Sequence, residues 1–341
     1  MGLAGCTARG QDNETANETT AANETEQPTT FEPVDEEYPE SGRTVTYVVP
    51  FSEGGGTDTY ARQIMPVAGD ELGVNIQISN VPGSASLRGT GRIVNAEPDG
   101  YTMGGFNPPS TPLSYLVFEP DYDLQELEGI AVYARTPYVI ITNADENVED
   151  LEDLISRYNE GDFTAIGGCQ SLGGLNHVTS LVMQNQYDMQ WENYVGYDGC
   201  APAAQAVASG EIPAAIGTDV AVQGTVEAGR ADVVAVLQSA GSGVFPDVQP
   251  VTEQGFDEID YIGGLNRCMW FPPETPEGIV NRMANAVQTA TQSDSVQQWS
   301  EESGNIVEFS GPETANQLLQ DTLERLPEEV DIEQIREAAT Q

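Results

Sequence analysis

An α/β architecture with a largely parallel sheet is what this sequence predicts, on three observations. Strand-like and helix-like stretches alternate from residue 44 onward. The first strand runs through a glycine turn straight into a helix, and later helices carry their own start and stop residues. Over 44–49, Val45, Tyr47 and Val49 alternate with Thr44, Thr46 and Val48, which suits a strand. Gly54, Gly55 and Gly56 then let the backbone turn tightly, and Thr57 or Asp58 can cap a helix that buries Tyr60, Ile64 and Val67. Such a helix start offers free N–H groups and a partial positive charge, so it is either an ordinary β–α turn or an anion site. Pro66 falls inside this helix pattern and is expected to kink it or end it early.

Further strands are expected near 74–79, 101–106, 129–142, 163–167, 190–195, 212–217, 231–237 and 306–309. A helix from Ala201 to Ser209 has Pro202 in its first turn and Gly210 just past its end. Thr275-Pro276-Glu277 opens another, with Ile279, Val280, Met283 and Val287 on its buried face. No internal repeat is present.

With 341 residues and 39% hydrophobic content the chain fits about two domains with sizeable cores. It carries no apolar run long enough to span a bilayer. The 55 acidic residues outnumber 12 basic ones, all arginine, for a net charge of −43. Self-repulsion on that scale opposes compaction in dilute buffer. At about 1 M salt the Debye length shrinks to about 3 Å and the repulsion fades, so the composition points to a halophile. Nucleic acid is excluded as a partner, since no basic patch exists to neutralise phosphates.

Leu3-Ala4-Gly5-Cys6 resembles a lipoprotein lipobox, which makes Cys6 the expected lipidation site, although only five residues precede it. Residues 7–42 are rich in Asn, Glu, Thr, Gln and Pro and read as a disordered acidic tether. Asn13, Asn17 and Asn23 each begin an N-x-T glycosylation pattern. Together these features suggest a lipid-anchored protein on the extracellular face of the membrane, with a folded body starting near Arg43. With Cys6 lipidated, Cys169, Cys200 and Cys268 leave at most one disulfide and one free thiol. Cys169 and Cys200 lie in two glycine-containing loops, a pairing that sequence does not establish.

Val48-Val49-Pro50-Phe51 followed by Gly54-Gly55-Gly56-Thr57-Asp58 resembles the opening signature of the Bug-type extracytoplasmic receptors of tripartite tricarboxylate transporters. Further matches follow in the family's order: Asn80-Val81-Pro82-Gly83-Ser84-Ala85, then Ala96-Glu97-Pro98-Asp99-Gly100-Tyr101-Thr102, then Ala134-Arg135-Thr136-Pro137 as a first interdomain crossing. Tyr197-Asp198-Gly199 stands where the family has Y-K-G, and Phe245 to Gly255 resembles its late F-P-D-V-P segment. The resemblance covers about 43–325 and is to a halophilic archaeal version of the family.

The resemblance implies a two-lobed clamshell of the periplasmic-binding-protein type II kind, with mixed, mainly parallel sheets and flanking helices. Lobe 1 would comprise 43–136 plus 263–341, and lobe 2 would comprise 137–262. A monomer would capture a small carboxylate (a di- or tricarboxylate, amino acid or aromatic acid) without cofactor or metal and deliver it to membrane permease subunits. In such receptors backbone N–H groups and water hold the carboxylate, so no Lys or Arg need touch it. Carried over, the first-lobe contacts are Phe51, Gly55, Thr57, Asp58 and Ser86. The second-lobe contacts are Gly168, Ser171, Tyr197, Gly199 and Ala201, with Thr218 and Asp219 at the far end. Asp58 is odd beside an anion and reads as a helix cap or the holder of a bridging water. Arg88 either brings a charge to the cleft or faces solvent. The loop from Ile166 to His177 looks longer than its family counterpart, which unsettles Ser171 and Cys169.

His177, the only histidine, precedes an apolar helix face and reads as a helix-start residue bonded to backbone. A lone His does not make a metal site. A rival from another class is a Cys–His hydrolase using Cys169 or Cys200, although acidic surroundings would raise the thiol's pKa. A third reading is a sensor whose closed clamshell docks a histidine kinase. A phosphate-binding loop fails for want of the P-loop lysine.

Overall fold

The computed structural model describes Phe31 and residues 38–339. The strands are β1 (Thr44–Val49), β2 (Asn75–Asn80), β3 (Thr102–Phe106), β4 (Glu128–Asn143), β5 (Ala165–Gly168), β6 (Asn193–Gly196), β7 (Ala214–Thr218), β8 (Ala231–Val236), β9 (Gly264–Phe271) and β10 (Ile306–Ser310). The helices are α1 (Gly56–Leu72), α2 (Leu87–Val94), α3 (Ser110–Phe118), α4 (Leu151–Glu160), α5 (Leu175–Tyr187), α6 (Cys200–Ala208), α7 (Asp219–Glu227), α8 (Glu277–Thr291), α9 (Asp294–Ser303), α10 (Pro312–Glu329) and α11 (Ile332–Ala339). The mixed α/β fold with helices flanking the sheet is the one the sequence led us to expect.

Long β4 organises the molecule. Up to Pro137 it pairs antiparallel with β9, and from Tyr138 onward it pairs with β7 and β8. On one side of that switch β1 pairs in parallel with β2 and β3, and β9 closes against β3. On the other side β5 pairs in parallel with β6 and β7. Alternation decides which face each side chain covers. Val45, Tyr47 and Val49 pack with α1 and α8, while Val48 and Phe106 turn to the opposite face with Ile93 of α2 and Leu319 of α10. In β4, Ile140 packs with Leu154 and Val178, whereas Val139 and Ile141 pack with Ala203 and Val207 of α6. Both faces are therefore covered, which is why these strands read as nearly continuous apolar runs.

Three expectations change. Pro66 does not end α1 early: the helix runs on to Leu72 and stops at Gly73, whose φ of 70° is left-handed. Burial of Ala68, Gly69 and Leu72 beyond the proline outweighs the lost backbone bond. The body also begins before Arg43, because Phe31 packs on the β1–α8 core and the buried Tyr38 donates its hydroxyl to the Gly100 carbonyl at 2.8 Å. Finally, the end of the chain is shared. Leu326, Val330 and Ile335 join the core that contains Ile140 and Val178, so this C-terminal stretch reaches across to the β5–β7 side. Cys6, Asn13, Asn17 and Asn23 lie outside the described residues.

Candidate functional site

The glycine turn after β1 is latched by one carboxylate. Asp58 is 1% exposed and accepts from the Gly54 N–H at 2.8 Å, Arg62 Nε at 2.8 Å and Asn80 Nδ2 at 2.9 Å. Burial alone would raise its pKa, but these donors and the Arg62 charge hold it below the usual carboxylate value of 3.8. Gly54 has a φ of 79°, a left-handed turn that a side chain resists. Asp58 thus acts as a latch for the turn, but neither it nor Thr57 is the helix cap: Gly55 holds that position and both lie inside α1. Gly55 is the residue before α1, and its N–H is turned back onto the Ser52 carbonyl. The Thr57 hydroxyl is buried and accepts from Asn107 Nδ2 at 2.9 Å and Arg267 Nη1 at 3.0 Å.

The loop after β5 is held by different means. A disulfide joins Cys169 to Cys200, the first residue of α6. It consumes both thiols that a Cys–His hydrolase would need there, and the remaining Cys268 is buried with its pKa pushed up by that burial. Asn176 Oδ1 accepts the Cys169 N–H at 2.9 Å, and His177 Nδ1 accepts the Gly173 N–H at 3.1 Å. Burial lowers the His177 pKa to about 4, so the ring is neutral and bonded to backbone. Gly168 cannot carry a side chain, since a Cβ there would sit 2.2 Å from the Tyr194 hydroxyl.

A cavity of about 380 Å³ opens between these regions. Phe51, Ser86 and Ser171, three of the carried-over positions, line it. Also lining it, and missed in the sequence, are Ser110, Leu113 and Ser114 of α3, Gln170, Leu175 and Ala339 of α11. No Asp, Glu, Arg or His is in the lining. Instead the starts of three helices line it: Ser86 precedes α2, Ser110 begins α3, and Gly174 precedes α5, where Gln170 Oε1 accepts the Asn176 N–H at 3.3 Å. Local acceptors already take several of the first N–H groups, among them Leu87 onto Ser84 and Thr111 onto Asn107, so it is the partial positive charge of three helix starts that makes this neutral cavity an anion-compatible one. Phe118 and Leu172, the large apolar side chains left most exposed among the described residues, also line it.

Gly55, Thr57, Asp58, Gly168, Tyr197, Gly199, Ala201, Thr218 and Asp219 are not part of that lining. Tyr197 donates its hydroxyl to the Glu211 carboxylate at 3.0 Å, and Ala201 is exposed. Gly199, with φ 109°, donates its N–H to the Cys169 carbonyl at 3.0 Å, which ties the disulfide loop together from both ends. Thr218 precedes α7, and Asp219 is buried against the Ser242 hydroxyl at 2.7 Å, with burial pushing its pKa up. Arg88 is exposed, which favours its solvent-facing reading.

Sequence reasoning also missed Arg267, on a strand that was not foreseen. It is 5% exposed and lies where β4 passes from β9 to β7. Its guanidinium bonds Thr57 and, from Nη2, the Thr136 hydroxyl at 3.0 Å, and it stacks 4.7 Å over the Tyr60 ring.

Comparison with known proteins adds the following. The chain matches the model of the tripartite tricarboxylate transporter family receptor over residues 60–334. It is similar to Protein BugT of Bordetella pertussis, 25% identical over 290 residues, covering 83% of this chain and 87% of the relative. Among solved structures it resembles a TctC solute-binding protein from Polaromonas, with a TM-score of 0.75 at 20% identity, over 86% of this chain and 98% of that one. It also resembles MatC from Rhodopseudomonas palustris with bound malate, with a TM-score of 0.65 at 25% identity, over 85% and 99%.

Proposed function

This chain belongs to the tripartite tricarboxylate transporter receptor family, and on that premise we propose that it captures a small carboxylate outside the cytoplasm and delivers it to a membrane permease. The observation that carries the reading is the neutral cavity ringed by the N-termini of α2, α3 and α5. A carboxylate held there is favoured by the partial positive charge of the helix starts without a salt bridge. That arrangement suits a chain with a net charge of −43, in which basic side chains are scarce.

In this reading 43–136 with 263–341 forms one lobe and 137–262 the other, and closure around the β4 and β9 crossings traps the ligand. The malate bound by MatC fits the proposed ligand class. Phe118 and Leu172 at the cavity favour a carboxylate with an apolar or extended body over a compact one. No helix among the described residues is long and apolar enough to cross a membrane. Membrane attachment is therefore assigned to lipid on Cys6, with a glycosylated tether at Asn13, Asn17 and Asn23, and intact-mass measurement of the native protein tests both. The relatives named above are bacterial, so the halophile reading stands on charge alone.

A thermal-shift screen of mono-, di- and tricarboxylates in molar KCl tests the main reading. Stabilisation by at least one carboxylate is expected, and none from any of them would sink the receptor assignment.

A further inference from the structure

Arg267 is the one arginine in the buried interior among the described residues, and it has no carboxylate within ion-pairing distance. In a chain with 55 acidic residues that isolation is a strong anomaly. A buried, uncompensated guanidinium is costly, and proteins remove such costs by pairing or by apolar replacement. Here two neutral threonine hydroxyls take one nitrogen each, and Nε has no partner at all. Asn107, 4% exposed and bonded to the same Thr57 hydroxyl, likewise leaves one end of its amide unpaired.

The position of this group matters as much as its isolation. Thr57 is in the first turn of α1, and a Cβ on Gly56 would meet Arg267 Nη2 at 2.6 Å, so the guanidinium lies directly under the glycine turn. A helix N-terminus and a cation therefore share one spot, and each repels the other's partial charge. Thr136 stands at the end of the β4–β9 pairing and Tyr138 begins the β4–β7 pairing. Arg267 pairs with Ala134 in β4 and its Nη2 reaches the Thr136 hydroxyl, which places the guanidinium at the seam between the two halves of the sheet.

Resting on the receptor reading above, we propose that Arg267 is the ionic anchor for a ligand carboxylate, received at the seam with Thr57 and Asn107. The ligand is then a dianion: one carboxylate meets Arg267 and the α1 N-terminus, and the other meets the helix N-termini of the neutral cavity. The cation that composition made scarce is kept for the ligand.

The test compares wild type with R267M, R267Q and R267K in molar KCl, using malate, adipate and benzoate as probes. Calorimetry measures affinity and thermal unfolding measures the stability of each unliganded protein. Wild type should bind a dicarboxylate more tightly than benzoate, and R267M should weaken that dicarboxylate by roughly 30-fold or more. R267K should recover part of the loss. Unliganded R267M should unfold at the wild-type temperature or above it, because an apolar side chain relieves a buried charge. A merely structural arginine predicts the reverse, so R267M and R267Q variants that fail to fold, or unfold well below wild type, overturn the proposal. Equal dicarboxylate affinity in wild type and R267M also overturns it while leaving the receptor reading intact. Absence of binding by wild type to any of the screened carboxylates removes the receptor reading itself.

Discussion

The loop after β1 and the loop after β5 do the same job with different hardware. Each must hold an irregular glycine-rich turn steady at a strand end, just ahead of a helix. The first is latched by a buried carboxylate that gathers Gly54, Arg62 and Asn80. The second is latched by the Cys169–Cys200 disulfide and by two neutral side chains, Asn176 and His177. One latch is ionic and fails when a proton arrives at a carboxylate. The other is covalent and fails in reductant, with a histidine that must stay uncharged. Equal geometry at the two loops therefore comes with separable weaknesses, and that separation can be tested.

The largest effect is expected from the covalent latch. The bridge closes a sequence separation of 31 residues, for which chain-entropy reasoning gives about 3–4 kcal/mol. Urea unfolding with and without reductant should show that loss, and hydrogen exchange should accelerate at Cys169 and Gly199 while Gly54 stays protected. Equal acceleration at Gly54 would show that the two loops are not independent. Next comes D58A, which strips three donors of their acceptor at a buried site. Because Arg62 is partly exposed, its ion pair adds little, and the orphaned Gly54 and Asn80 groups set a loss of about 2 kcal/mol. The sign with pH follows from the lowered pKa. The Asp58 contribution is complete above 3.8 and disappears as pH falls below that value through the folded-state pKa. D58A should therefore flatten the stability profile only in that acidic range.

Much of this contrast was legible in the sequence, and the failures have physical causes. Strands such as β1 and β7 announce themselves by apolar alternation or a short apolar run, and β4 shows as one long stretch because both its faces are covered. By contrast, β9 reads G-L-N-R-C-M-W-F, with Asn266 and Arg267 interrupting any apolar pattern. It is a strand because β3 and β4 flank it, which no local pattern encodes. Missing the strand meant missing Arg267, the one buried cation among the described residues. Helix α3 hid behind Pro108-Pro109, and α11 contributes Ala339 to the cavity from far along the chain. Phe51, Ser86 and Ser171, carried over by motif, line the cavity, and Ser86 does so from the start of α2, where the geometry is local. Carry-over did not bring Tyr197 there, whose hydroxyl is drawn outward by Glu211.

The smallest effect should come from His177, and it distinguishes the loops most sharply. Its ring is neutral in the fold because burial lowers its pKa from 6.5 to about 4. Between those values the unfolded chain binds a proton that the folded chain does not, so stability falls as pH drops from 6.5 to about 4 and levels off below. The first loop enters only at the acidic end of that window, where the unfolded Asp58 carboxyl begins to take its proton and the folded one, held below 3.8, does so later. H177Q keeps an acceptor for the Gly173 N–H but cannot take the proton. It should cost about 1 kcal/mol at neutral pH, where one neutral hydrogen bond and the ring contacts with Trp191 and Tyr194 are altered. The same variant should lose the slope between pH 6.5 and 4 in unfolding titrations at fixed KCl, leaving the acidic Asp58 transition in place. A slope that persists in H177Q would mean that the weakness of the second loop to acid arises from a group other than its histidine.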